Sequence, residues 1–163
     1  MKNLGALFFK QSMKIPNWLI FTFLAVSFLG FLDATYLTAQ HYLGTIPPCV
    51  ITTGCETVLT SEHSIIFGIT TALLGAIYYL LLFLLAVFSL DMKREIIRFA
   101  AFLTPLGFLA SLYFVYLQLF IIEEICTYCM VSAATSTILF VLGLFIIINL
   151  FQSKTSFQNI NNQ

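Results

Sequence analysis

Four long apolar runs, parted by short polar stretches, set the pattern of this chain: residues 17–38, 66–90, 99–122 and 125–149. Each reaches the roughly 20 residues that a helix needs to cross ~30 Å of hydrocarbon. The first is broken only by one acid, Asp33, and the other three carry no charge. Between them lie a polar loop at 40–64, the charged turn Asp91-Met-Lys-Arg-Glu95, and the pair Glu123–Glu124. Gly54-Cys55-Glu56-Thr-Val-Leu59 reads as a short helix inside the loop. The pattern therefore predicts an all-α integral membrane protein with a single transmembrane domain, residues 1–151, and a short polar tail at 152–163. No internal repeat is visible. The first run is too long for the apolar part of a signal peptide, and no A-x-A site follows it, so it is expected to remain as a span.

Composition agrees. Of 163 residues, 60% are hydrophobic and 9% charged, with a mean hydropathy of +1.00. A soluble domain of this size has no place to hide so much apolar surface, so lipid must take the role of solvent. Net charge is zero, but its distribution is informative. Lys2, Lys10 and Lys14 precede the first run, Lys93, Arg94 and Arg98 lie at the central turn, and Lys154 follows the last run. The positive-inside rule then places both termini and the central turn in the cytoplasm. The loop at 40–64 and the Glu123–Glu124 turn fall on the opposite face, which holds no Lys or Arg. Trp18, near the inner end of the first span, suits the headgroup zone.

Small residues suggest helix contacts. Gly107 with Ser111, and Ser132 with Ser136, are i, i+4 pairs expected to let neighbouring backbones approach closely. Pro105 inside the third span is tolerable where neighbours satisfy the freed carbonyl. Asp33, close to the outer end of the first span, is either a functional acid or a hydrogen-bonded structural one. His41 and His63 flank the loop and are taken as loop polars. Glu56 and Glu62 are taken as solvated, and most of the 18 Phe residues as facing lipid or filling the core.

Chemistry enters with four cysteines, all on the face without basic residues. Cys49 and Cys55 lie in the long loop. Cys126-Thr-Tyr-Cys129 is a C-x-x-C opening the fourth span, with both sulfurs on one helix face. A helix N-terminus favours the thiolate that attacks disulfides, while Glu123 and Glu124 oppose it. Pro47-Pro48-Cys49 is stiff and extended and presents Cys49 to proteins of the outer compartment. One pair thus faces protein partners and the other faces the membrane, where a lipid-soluble oxidant reaches it. A relay between the pairs runs by thiol–disulfide exchange and needs close approach of the sulfurs.

Other readings of the cysteines exist. Two disulfides could simply staple loops in an oxidising compartment, in a non-enzymatic four-span protein. Four thiols could hold zinc, but the first pair lacks zinc-knuckle spacing, so no metal is expected. A transmembrane exporter of reducing equivalents would need cysteines accessible from both sides. A C-x-x-C at a helix start favours redox work.

From about Gly30 to about Thr137 the chain resembles the vitamin K epoxide reductase family, in its bacterial branch. The resemblance rests on Asp33-Ala-Thr-Tyr36-Leu37-Thr38 with His41, on Pro48-Cys49 and Gly54-Cys55-Glu56-Thr-Val58-Leu59-Thr-Ser61, on Ile66-Phe67-Gly68-Ile69 with Gly75 and Tyr78, and on Cys126-Thr-Tyr-Cys129. It implies a four-helix bundle around a quinone of ubiquinone or menaquinone type, capped by the loop that carries the first pair. It also implies that Cys49 exchanges with a reduced thioredoxin-like (DsbA-like) partner, that Cys55 passes electrons to Cys126, and that Cys129 lies next to the quinone. Ser61 would hold the cap. Ser64, Phe67, Phe114, Ser132 and Ala133 would support or line the ring pocket. Vertebrate members have Asn where this chain has Ser64 and Tyr where it has Ala133, so the resemblance implies plain quinone reduction rather than epoxide reduction. No thioredoxin-like domain follows the bundle, which makes the expected partner a separate protein. The expected setting is a bacterial inner membrane, crossed four times, with the cysteines at the periplasmic face.

Overall fold

The computed structural model describes residues 16–49, 54–61, 64–66, 68–91 and 96–161, without the side chains of 66, 91 and 150–161. Five helices and one small hairpin follow in order among the described residues: α1 (Asn17–Tyr42), α2 (Cys55–Thr60), β1 (Ile65–Ile66), β2 (Ile69–Thr70), α3 (Thr71–Asp91), α4 (Ile96–Phe120) and α5 (Thr127–Asn161). Among the described residues, α1, α3, α4 and the Thr127–Asn149 part of α5 are long and apolar enough to cross a membrane. They pack as a closed ring: α1 against α3 and α5, α4 against α3 and α5. The outward face is as apolar as the core, with Phe21, Leu29, Phe99, Phe102 and Phe145 all exposed. Helices hydrophobic all round need lipid to cover that face.

Local chemistry sets where each helix begins and ends. Pro16, in extended conformation, opens α1, since proline loses nothing at a position whose N–H has no helical partner. Pro105 sits within α4 without ending it. The Thr104 hydroxyl donates to the Ala101 carbonyl at 2.8 Å, the group that proline deprives of its usual donor. The satisfaction expected from neighbours thus comes from the same helix.

Two boundaries differ from the pattern-based expectation. α3 starts at Thr71 rather than near 66, because Ile65–Ile66 and Ile69–Thr70 form an antiparallel pair, Ile65 opposite Thr70 and Ile66 opposite Ile69. Gly68 turns it with φ +79°, a conformation that costs a residue with a Cβ. At the C-terminus, α5 continues as helix through the polar tail to Asn161. The short loop helix lies where Gly54-Cys55 predicts it.

The core is concentrated toward the Asp91 end of the bundle. Leu19, Ile20 and Phe23 of α1 interlock there with Leu82 and Ala86 of α3, Ile97, Ala100 and Ala101 of α4, and Leu139, Leu142 and Ile146 of α5. Phe23, Leu82, Ile97, Leu139 and Ile146 are fully buried. At the other end the same helices enclose a cavity.

Candidate active site

All four cysteines meet at the cavity end. Cys55 and Cys126, 1% and 0% exposed, share a buried cluster with Val58, and Cys49, Cys129, Leu59, Ile122 and Tyr128 pack against it. Cys49 and Cys55 form a disulfide with their Cα atoms 5.9 Å apart. Cys126 and Cys129 are thiols, the first buried and the second half-buried. The loop helix α2 therefore carries its disulfide directly onto the start of α5.

Several contacts hold this docking. The Tyr128 hydroxyl donates to the Pro48 carbonyl at 3.2 Å, and the Tyr128 ring packs at a tilt on Tyr36 with centroids 5.5 Å apart. The backbone N–H of Cys55 points at Cys49 Sγ, 3.2 Å away. Gly54 lies so close to the turn before α5 that a Cβ there would sit 2.6 Å from Glu124 Oε2 and 3.0 Å from the Ile125 nitrogen. Glu123 takes φ +57° within the same turn. The N–H of Cys126, which precedes α5 and has no helical partner, donates to Gln118 Oε1 at 3.0 Å. Gln118 is itself 2% exposed, so this side chain anchors the C-x-x-C to the end of α4.

Beneath the cysteines lies a cavity of about 370 Å³, within the range of small-molecule sites. Cys129 is in its wall, with Ala34 and Leu37 of α1, Gly75 and Tyr79 of α3, Phe114 of α4 and Ser132 of α5 among the other lining residues. Val58, Leu59, Ser61 and Ser64 close it from above. The Ser61 hydroxyl donates to the Val58 carbonyl at 2.8 Å, and that of Ser64 to the Ser61 carbonyl at 2.7 Å. Both serines thereby bind back to the cap itself.

Of the pocket residues read from the sequence, Ser61, Ser64, Phe114, Ser132 and Ala133 border this cavity. Phe67 lies outside the described residues, as do His63 and Glu62. His41 is exposed, its ring edge-on to Tyr42, and Glu56 is exposed on α2. Asp33 is half-buried, and its Oδ2 is buried without a hydrogen-bond partner.

The small-residue pairs Gly107 with Ser111 and Ser132 with Ser136 all border the cavity, and the space over Gly107 is filled by the Tyr78 ring and hydroxyl. Sequence reading also passed over Tyr79. Its ring packs on Gly30 so tightly that a Cβ there would be 2.6 Å from it, and its hydroxyl reaches α5. A tyrosine in an apolar span was the available signal, since a buried phenol needs a partner. Gln118, polar within the third run, gave the same kind of signal.

The arrangement suits dithiol chemistry beside an apolar slot. Among the described residues no group of three or more His, Cys, Asp or Glu side chains could hold a metal ion. Residues 21–144 match the family model described as Vitamin K epoxide reductase family. A search of curated proteins returns no match to the chain. With three quarters of its length covered by that model, four helices able to span a membrane and a disulfide docked on a C-x-x-C, the chain belongs to the vitamin K epoxide reductase family as a multi-pass membrane redox protein.

Proposed function

We propose that the protein is a membrane thiol:quinone oxidoreductase that drains electrons from a thioredoxin-like partner and so supports disulfide-bond formation. The observation that carries this reading is the Cys129 thiol in the wall of an apolar cavity, packed on the same buried cluster as the Cys49–Cys55 disulfide. A flat ring with two carbonyl oxygens fits a space lined mainly by aliphatic and aromatic side chains with a few hydroxyls.

The proposed sequence begins at Cys49, the more exposed member of its disulfide. A partner thiolate attacks Cys49, the Cys49–Cys55 bond breaks, and the partner's second thiol displaces Cys49 to leave a partner disulfide and a Cys49/Cys55 dithiol. Cys55 then attacks Cys126 of an oxidised Cys126–Cys129 pair, releasing Cys129. Attack of Cys49 on Cys55 restores the loop disulfide and leaves Cys126 and Cys129 as thiols, the state described above. Closing these two thiols to a disulfide releases two electrons and two protons, which quinone accepts in becoming quinol. A partner as oxidising as about −120 mV needs an acceptor at still higher potential, and periplasmic oxidation ends in quinone for that reason. The proposed setting is a bacterial inner membrane, with Cys49 facing the periplasm and the Asp91 end the cytoplasm.

The test is turnover of purified protein with a reduced thioredoxin-like donor and a short-chain ubiquinone. Cys129→Ala is expected to lower quinone reduction by at least about a thousandfold, because no intramolecular disulfide can then take up the charge. Turnover retained in that variant would rule the mechanism out.

A further inference from the structure

The C-terminal wall of the cavity carries a cluster of hydroxyls that the thiol relay does not use. Tyr79 Oη donates to the Ser132 carbonyl at 2.8 Å and lies 3.2 Å from Ser132 Oγ and 3.1 Å from Thr135 Oγ1. Thr135 and Thr137 both bond back to their own helix, at the Ser132 and Ala133 carbonyls. That is the ordinary fate of a hydroxyl inside an apolar helix.

Ser136 departs from it. It is 2% exposed, it borders the cavity, and its Oγ is buried on the Tyr79 side without a hydrogen-bond partner. A buried hydroxyl without a partner is costly, and such groups in native structures point to something that completes them. Its place on α5 says what that would be. Ser136 is seven residues after Cys129, so the two share a helix face and lie about 10 Å apart along the axis. Between them the wall is formed by Ser132 and Ala133, small side chains that leave the slot open.

Resting on the quinone reading above, we propose that Ser136, by rotating its Oγ from the Tyr79 side into the cavity it borders, donates the hydrogen bond that holds the quinone carbonyl remote from Cys129. Tyr79 acts as a positioning residue. Its hydroxyl is already engaged at Ser132, donating to the carbonyl and lying beside Oγ, so it fixes that stretch of α5 and leaves Ser136 for the ligand. One carbonyl is thus anchored deep in the bundle while the opposite edge of the ring is presented to the sulfur. The site selects for a ring with an oxygen at each end, and a hydrocarbon of equal size leaves the serine unsatisfied.

The test uses the full chain in lipid nanodiscs, dithiothreitol as donor and decylubiquinone as probe. Ser136→Ala is expected to raise KM for the quinone about tenfold, the loss of one hydrogen bond of ordinary worth, with kcat within about twofold. Reduction of the Cys49–Cys55 disulfide should be unaffected. Because the change removes an unsatisfied buried group, the variant should melt no lower than the unaltered protein. The infrared carbonyl band of bound decylubiquinone should lose its hydrogen-bonded, low-frequency component. An unaltered KM or an unaltered band, in a protein that does reduce quinone, overturns the role of Ser136 and leaves the quinone reading standing. Failure of the unaltered protein to reduce decylubiquinone at all overturns both.

Discussion

Toward the Asp91 end of the bundle, Ile20, Phe23, Leu82, Ile97, Leu139 and Ile146 interlock with exposures of 1% or less; toward the cysteines, the same four helices surround a space of about 370 Å³. The two halves draw on similar apolar residues, and what separates them is side-chain size at the inward positions. Phenylalanine, leucine and isoleucine fill the first half. Alanine, glycine and serine line much of the second, where Tyr78 and Tyr79 bridge helices. A membrane bundle of similar apolar residues can thus be solid at one end and hollow at the other.

Trimming one large ring in each half should break that comparison if it is false. Phe23→Ala, in the solid half, should cost about 3–5 kcal/mol, the usual result of emptying a packed site. Phe114→Ala, in a side chain that already faces open space, should cost less than about 1 kcal/mol while weakening the quinone KM. Thermal or denaturant unfolding in micelles measures both, and equal losses would mean that the halves do not differ in packing.

A smaller effect is expected at the seam between the cap and the bundle. Gly54→Ala pushes a methyl group against Glu124 and the Ile125 nitrogen, and backbone on one side cannot yield as a flexible side chain does. Overpacking of this kind typically costs about 1–3 kcal/mol. Since α2 carries Cys55, the variant should also slow electron passage from the loop disulfide to Cys126, seen as a longer lag in stopped-flow quinone reduction. Unchanged transfer would show that the seam does not set the approach of the sulfurs.

The four spans were legible because each is a run that water cannot accommodate. The short helix at Cys55 was legible from the glycine before it. The hairpin at Ile65–Thr70 was not, since Ile65, Ile66 and Ile69 continue the hydropathy of α3 without a break and only Gly68 marks the turn. Nor could the sequence decide what Gly107, Ser111, Ser132 and Ser136 do. Small residues permit either close helix contact or a void, and the outcome depends on how far Tyr78 and Tyr79 reach across the bundle. The cysteines were easy to find, yet their state was not, because spacing alone allows Cys49 to pair with Cys55 or Cys55 with Cys126. Gln118 as acceptor for the Cys126 N–H shows the same limit: its polarity was visible within an apolar run, and its partner eight residues on was not.

The central claim is that Cys126 and Cys129 are the pair that meets the quinone. It is tested most directly by mixing fully reduced protein with one equivalent of decylubiquinone without oxygen, quenching with acid and alkylating, then mapping the disulfides by mass spectrometry. One quinol per chain, with Cys126–Cys129 the first disulfide trapped and Cys49–Cys55 replacing it at later quench times by internal exchange, is the predicted result. Cys49–Cys55 forming with no earlier Cys126–Cys129 disulfide, or no quinol at all, would contradict it.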